Sequence, residues 1–188
     1  LNGGPGAPAF IYTAKRHQAS IRQPLSGWMG HATPFSFSED YDAAPGVQQF
    51  LFGTPPILSM SVLDAALSVF DDVDLDDLRA KSVRLGELFL ELMSEHESLD
   101  DLALVSPRDS RDRGSQLAFS HPQAFSICQA LIERGVVADF RAPDVVRFGF
   151  APLYLRYQDI WSAVTKLTEV MKGSTYLEAK YSSMSKVT

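Results

Sequence analysis

From Leu102 onward the sequence changes period every few residues, and that alternation restricts the fold more than any other feature. The stretches LALVS, SQLAFS, VVADF and VVRFGF read as strands. Two helical stretches accompany them, one from about Gln123 to Arg134, halted by Gly135, and a longer one from about Gln158 to Met171. The class implied is α/β, a small unit with helices on a mainly antiparallel sheet.

Ahead of this unit the period is helical in two runs. Leu58, Val62, Leu63, Leu67 and Phe70 recur at helical spacing. A second helix begins near Asp74 as N-cap, with Leu78, Leu85, Leu88, Leu92 and Met93 along one face. The acidic run DDVDLDD just there fits no EF-hand register, because no start gives both the required glycine and the closing glutamate. Carboxylates stabilising a helix N-terminus explain it better. Residues 1–56 read as strand and loop: a turn-forming LNGGPG, a strand at Ala9–Tyr12, a long loop, and a short strand VQQFLFG stopped by Pro55 and Pro56. The organisation expected is therefore two parts, 1–56 and 57–188, the second a helical bridge leading into a compact domain.

With 45% hydrophobic and 21% charged residues in 188, the chain can build a globular core. A net charge of -6 argues against nucleic acid as partner, and the one dense basic cluster, PRDSRDRGS, is interrupted by acidic residues and reads as a solvated loop. The single cysteine, Cys128, excludes an internal disulfide and shares a helical stripe with Ile127, Leu131 and Ile132, which suits a buried structural thiol. No apolar run approaches the roughly 18 residues that a membrane span needs, and no signal peptide is visible, so no membrane and a cytoplasmic location are expected. G-x-S-x-G, Walker, H-E-x-x-H and C-x-x-C patterns are missing. NGGPG precedes a strand instead of joining strand to helix, so it is no dinucleotide fingerprint.

Three residues stand out chemically. In DVVRFGFAP, strand alternation puts Val146, Phe148 and Phe150 on one face and Val145, Arg147 and Gly149 on the other. A guanidinium beside a glycine has open space next to it, and its planar fork suits a carboxylate; pairing with Asp144 or reaching solvent is the alternative. In LSGWMGHATPF, Trp28 lies between glycines in a loop, so its indole N–H is available to an anion, unless the ring simply plugs the loop onto the core. His31 in the same loop suits either acid–base chemistry or a structuring role. Thr54, in FGTPPI, is held extended by Pro55 close to a helix start, a place that suits phosphate as well as an ordinary turn hydroxyl.

Taken in order, LNGGPG, QPLSGWMGH, FGTPPI, LRAKS, SPRD with RGSQ, QALIERGV and RFGFAPLY resemble kynureninase, over nearly the whole chain. The resemblance implies the type I, aspartate-aminotransferase-like fold of pyridoxal-phosphate enzymes. Residues 1–56 would then be the last strands and loops of the cofactor-binding large domain, and 57–188 the bridging helix and small C-terminal α/β domain. It implies hydrolysis of L-kynurenine, with 3-hydroxykynurenine as an alternative substrate, to an anthranilate and L-alanine in tryptophan catabolism and NAD biosynthesis. The cofactor implied is pyridoxal 5'-phosphate, and the assembly a homodimer with shared active sites. By the same resemblance Trp28 and Thr54 contact the cofactor phosphate, Arg147 grips the substrate α-carboxylate, and the Schiff-base lysine is expected just upstream of Leu1. Lys15 and Lys81 do not occupy that motif position. Met29 departs from the aromatic residue usual after this tryptophan, which puts the shape of the aryl pocket in question, and Arg113 and Gly114 match the pattern without an evident role. Two alternatives stay open: another type I enzyme, such as a cysteine desulfurase or aminotransferase, or a non-catalytic fragment.

Overall fold

A computed structural model describes residues 6–183, and the chain divides between residues 73 and 74 into two compact units. This break falls one helix after the change of period at Ile57. The cluster Asn2–Pro5 and the last five residues of the polar tail lie outside the described residues.

The first unit carries little regular structure. It holds a short helix α1 (Lys15–Gln18), 3-10 turns at Trp28–Gly30 and Gly46–Phe50, and α2 (Ile57–Leu67) with a 3-10 turn after it. Polar side chains tie it together. The buried Gln49 amide donates to the carbonyls of Gln18 and Gly46, both at 2.9 Å. His31 and Ala43 form an isolated antiparallel bridge.

Both strands expected in this unit are replaced. Ala9–Tyr12 forms no ladder, and Phe10, Ile11 and Tyr12 are exposed. Their β-branched and aromatic character favours a strand only where a neighbouring strand offers hydrogen bonds and a face to pack on. VQQFLFG is a 3-10 turn over Gly46–Phe50 instead, entered through Gly46 at φ +67°. That left-handed backbone is open to glycine at no steric cost and turns the chain where a strand would run straight. Helix α2 forms as the spacing predicts, yet none of its residues is buried.

The second unit follows the sequence pattern closely. Asp74 caps α3 (Leu75–Ser94), its Oδ1 accepting from the amides of Asp76 and Asp77 at 2.8 and 3.0 Å. Then come β1 (Ala103–Leu104), β2 (Gln116–Ser120), α4 (Ala124–Glu133), β3 (Asp139–Arg141), β4 (Val145–Gly149) and α5 (Tyr157–Lys172). The four strands form one antiparallel sheet in the order β1-β2-β4-β3. Gly135, at φ +78°, ends α4, and Asp159 caps α5 by accepting the Arg156 amide at 2.7 Å.

Phe89 of α3 sits at the centre of the core. Its ring lies 4.8 Å from Phe148, 5.4 Å from Phe150 and 6.1 Å from Phe119. Ile127 and Leu131 from α4 and Val164 and Leu167 from α5 complete it, all fully buried. Burying side chains of this size stabilises by about 1.5–3 kcal/mol each relative to exposure, which explains why this unit is well formed where the first is not.

Candidate functional site

In the first unit the Trp28 turn lies directly against the backbone of residues 49–52. A Cβ on Gly27 would meet the Phe52 carbonyl oxygen at 2.1 Å, and one on Gly30 would meet that of Leu51 at 2.6 Å. Both positions therefore exclude any side chain. The Met29 amide donates to Phe52 at 3.2 Å and the Ala44 amide to Gly30 at 2.8 Å, which pins the turn in place.

This packing brings Trp28 alongside the 52–54 segment. A Cβ on Gly53 would stand 3.8 Å from the indole Nε1. Thr54, exposed, follows directly, and three residues later α2 begins behind Pro56. The first amides of a helix have no intrahelical acceptor. An indole N–H, a threonine hydroxyl and a helix N-terminus thus lie along one short stretch, and all of them donate. That donor set fits a phosphate.

Trp28 is half exposed, its ring edge-on to Phe35 at 5.5 Å. It also lines a cleft of about 340 Å³ with His31, Thr33, Phe37, Asp40 and Tyr41. His31 spends both ring nitrogens on its own loop. Nδ1 accepts from the Thr33 amide at 2.8 Å, which leaves the proton on Nε2, 3.2 Å from the Asp40 carbonyl oxygen. The loop-structuring reading of this histidine accounts for its geometry.

Arg147 lies in the second unit, on the outward face of β4. Val146, Phe148 and Phe150 are buried as alternation requires, while Arg147 is partly buried and Gly149 exposed. Across the ladder Arg147 stands between Ala118 of β2 and Asp139 of β3. Nothing lies within 4 Å of a Cβ built on Gly149. Small residues therefore keep space open beside the guanidinium on two sides. Its charge partner is Asp139, whose Oδ2 accepts from Nε at 2.8 Å and from Nη2. Asp144, adjacent to the strand, uses its backbone carbonyl to accept the His121 amide instead.

The loop at residues 107–115 is less solvated than its composition implies. The Arg113 side chain is only 5% exposed, donating to the carbonyls of Pro107 and Arg108 and pairing with Glu87 on α3. Arg79 donates to the carbonyls of Ser110 and Arg113. Gly86, mid-helix in α3, lies beside Arg113: a Cβ there would make ordinary contacts, 3.9 Å from Arg113 Nη2 and 3.8 Å from the Phe150 ring. Arg113 therefore anchors the loop to the helix. Lys81 is also engaged structurally, donating to the Pro152 carbonyl at 2.6 Å.

Cys128 is buried in α4 and donates its S–H to the Ala138 carbonyl at 3.2 Å. Burial pushes its thiol up to about 11, the opposite of what a nucleophile needs. Among the described residues no cluster could hold a metal ion, and no helix is long and apolar enough to cross a membrane.

A family model for the kynureninase C-terminal domain matches residues 78–167, inside the second unit. The kynureninase of Burkholderia mallei (strain SAVP1) is 43% identical over all 188 residues, covering 100% of this chain and 45% of that protein. The chain matches the C-terminal part of kynureninase. The kynureninase of Deinococcus radiodurans is 51% identical over 171 residues, 91% of this chain and 42% of that protein. The chain thus spans somewhat less than half the length of the kynureninases it matches.

Among solved structures, an apo cysteine desulfurase from Thermococcus onnurineus NA1 superposes with a TM-score of 0.71 at 18% identity, over 86% of this chain and 42% of that one. A C-DES variant with glycine covalently linked to its PLP cofactor gives 0.66 at 16% identity, over 84% and 40%. Together these establish the fold as α/β of the type I, aspartate-aminotransferase-like class.

Proposed function

We propose that this chain is the C-terminal part of a pyridoxal-phosphate-dependent kynureninase, which hydrolyses L-kynurenine to anthranilate and L-alanine and takes the 3-hydroxy substrate as an alternative. The 43% identity to a kynureninase over all 188 residues carries this reading. Residues 1–56 belong to the large domain and 57–188 to the bridging helix and small domain. The enzyme works in the cytoplasm as a homodimer with shared sites, in tryptophan catabolism and NAD biosynthesis.

Trp28 and Thr54 donate to the cofactor phosphate, a role that a donor-only indole N–H and a threonine hydroxyl both support. When bound, pyridoxal phosphate acts as an electron sink for the substrate carbon skeleton. Arg147 grips the substrate α-carboxylate through its guanidinium fork, in the space beside Ala118 and Gly149. Fixing the carboxylate sets which bonds of the α-carbon face the cofactor, so this arginine acts through orientation. The Cβ–Cγ bond breaks: water supplies the second oxygen of the anthranilate carboxylate at Cγ, and Cβ takes up a proton to become the methyl group of alanine. A desulfurase would need a reactive cysteine, and the chain's single cysteine is buried and held protonated.

Turnover of kynurenine and of cysteine by the full-length cofactor-loaded protein tests the reading. Kynurenine should be turned over and cysteine left unchanged. Arg147→Lys keeps the charge and one hydrogen bond but loses the second of the charge-assisted pair, about 1.5–3 kcal/mol, so KM for kynurenine should rise about 10- to 150-fold. An unchanged KM would remove Arg147 from the site.

A further inference from the structure

Asp139 is the residue that sequence reasoning passed over. It stands directly opposite Arg147 in the β3/β4 register and meets that guanidinium along its Nε/Nη2 edge. Arg141, two residues on, brings its Nε to 3.4 Å from the same Oδ2. The Asp139 carboxylate therefore sits between two cations. The Arg147 side chain is 26% exposed, and none of the hydrogen bonds among the described residues uses its Nη1. An arginine has five N–H donors in a rigid fork. With Nε and one Nη2 hydrogen committed, the Nη1/Nη2 end remains free. That end can hold both oxygens of a carboxylate side by side.

We propose that Asp139 is a positioning residue for substrate binding. It clasps one edge of Arg147, fixes the side chain in one rotamer, and leaves the other edge preformed for the α-carboxylate of an amino-acid substrate. A flexible arginine loses rotamer freedom when it binds, and an anchored one has lost it already. This inference rests on the reading of Arg147 given above. The opposite role is physically distinct: a carboxylate that competes with substrate for the same guanidinium would weaken binding, and its removal would tighten it.

The test is steady-state kinetics of the full-length holoenzyme with L-kynurenine and with its α-carboxamide, comparing wild type, Asp139→Asn, Asp139→Glu and Arg147→Lys. Asp139→Asn keeps the shape and removes the charge, and Asp139→Glu keeps the charge and displaces it. In Asp139→Asn, KM for kynurenine should rise about 2- to 12-fold, the cost of ordering one rotamer-rich side chain, with kcat little changed. Asp139→Glu should fall between. The effect should vanish with the carboxamide and in the Arg147→Lys background, since positioning has no target there. A fall in KM, or no change while Arg147→Lys still raises it, overturns the inference and leaves the parent reading standing. If Arg147→Lys itself leaves KM unchanged, the parent reading fails.

Discussion

The pair between Glu87 and Arg113 makes an asymmetric prediction. The glutamate side chain is 47% exposed and the arginine 5%, so the two partners differ in what they leave behind when removed. Glu87→Ala strands a guanidinium out of water with only the Pro107 and Arg108 carbonyls to compensate it. Stranding a buried charge costs about 3 kcal/mol, the lower end of the range because its partner here is half exposed. Arg113→Met leaves a glutamate that water reaches, while the methionine fills the volume of the arginine stem. The loss is then about 1–2 kcal/mol, from loop carbonyls that lose a donor. The more exposed residue is therefore the costlier one to delete. Urea denaturation of the full-length protein, followed by circular dichroism, reads this directly. With a slope of about 2 kcal/mol/M, Glu87→Ala should lower the midpoint by about 1.5 M and Arg113→Met by about 0.5–1 M. The double variant should return close to Arg113→Met alone, because no cation remains to be stranded. A midpoint for Arg113→Met at or below that of Glu87→Ala would refute the reasoning.

Two further outcomes follow from buried titrating groups. His121 accepts the Gln123 amide at 2.9 Å through Nδ1, and burial lowers its pKa, against a smaller opposing pull from Asp101. The folded state then stays neutral where the unfolded chain protonates, so this stability is present above pH 6.5 and is lost as pH falls. Asn at 121 keeps an acceptor without a titrating proton, so the urea midpoint of His121→Asn should fall less between pH 7.5 and pH 5; equal falls would exclude the histidine. Cys128 has the other sign: its raised pKa keeps its contribution intact below the free-thiol value of 9.0 and removes it as pH rises towards about 11. Iodoacetamide at pH 8 should label it in urea and not in the native protein, and rapid native labelling would refute its burial.

The second unit was legible because each helix and strand there carries its own apolar period, and Asp74 and Gly135 mark ends with side-chain and backbone chemistry that the sequence displays. The first unit was not, because Ala9–Tyr12 and Val47–Gly53 have strand composition without a strand beside them. Periodicity reports a face, and a face requires something to pack on. Arg147 was readable from parity alone, whereas Asp139 became visible only once the register placed it opposite, since it lies eight positions away along the chain. Arg113 was obscured by charged neighbours that made its loop look solvated.

Strand β4 serves the core with one face and carries Arg147 on the other, and this limits the length changes it can tolerate. One residue inserted or deleted between Asp144 and Arg147 would exchange the two faces, sending the guanidinium among Phe89, Phe119 and Leu117 and turning Phe148 outwards. Core and the Arg147 edge would fail together, from a change that an exposed surface loop could absorb. Length variation among relatives should therefore gather in such loops and avoid 139–150, where a pair of inserted residues would be less damaging than one.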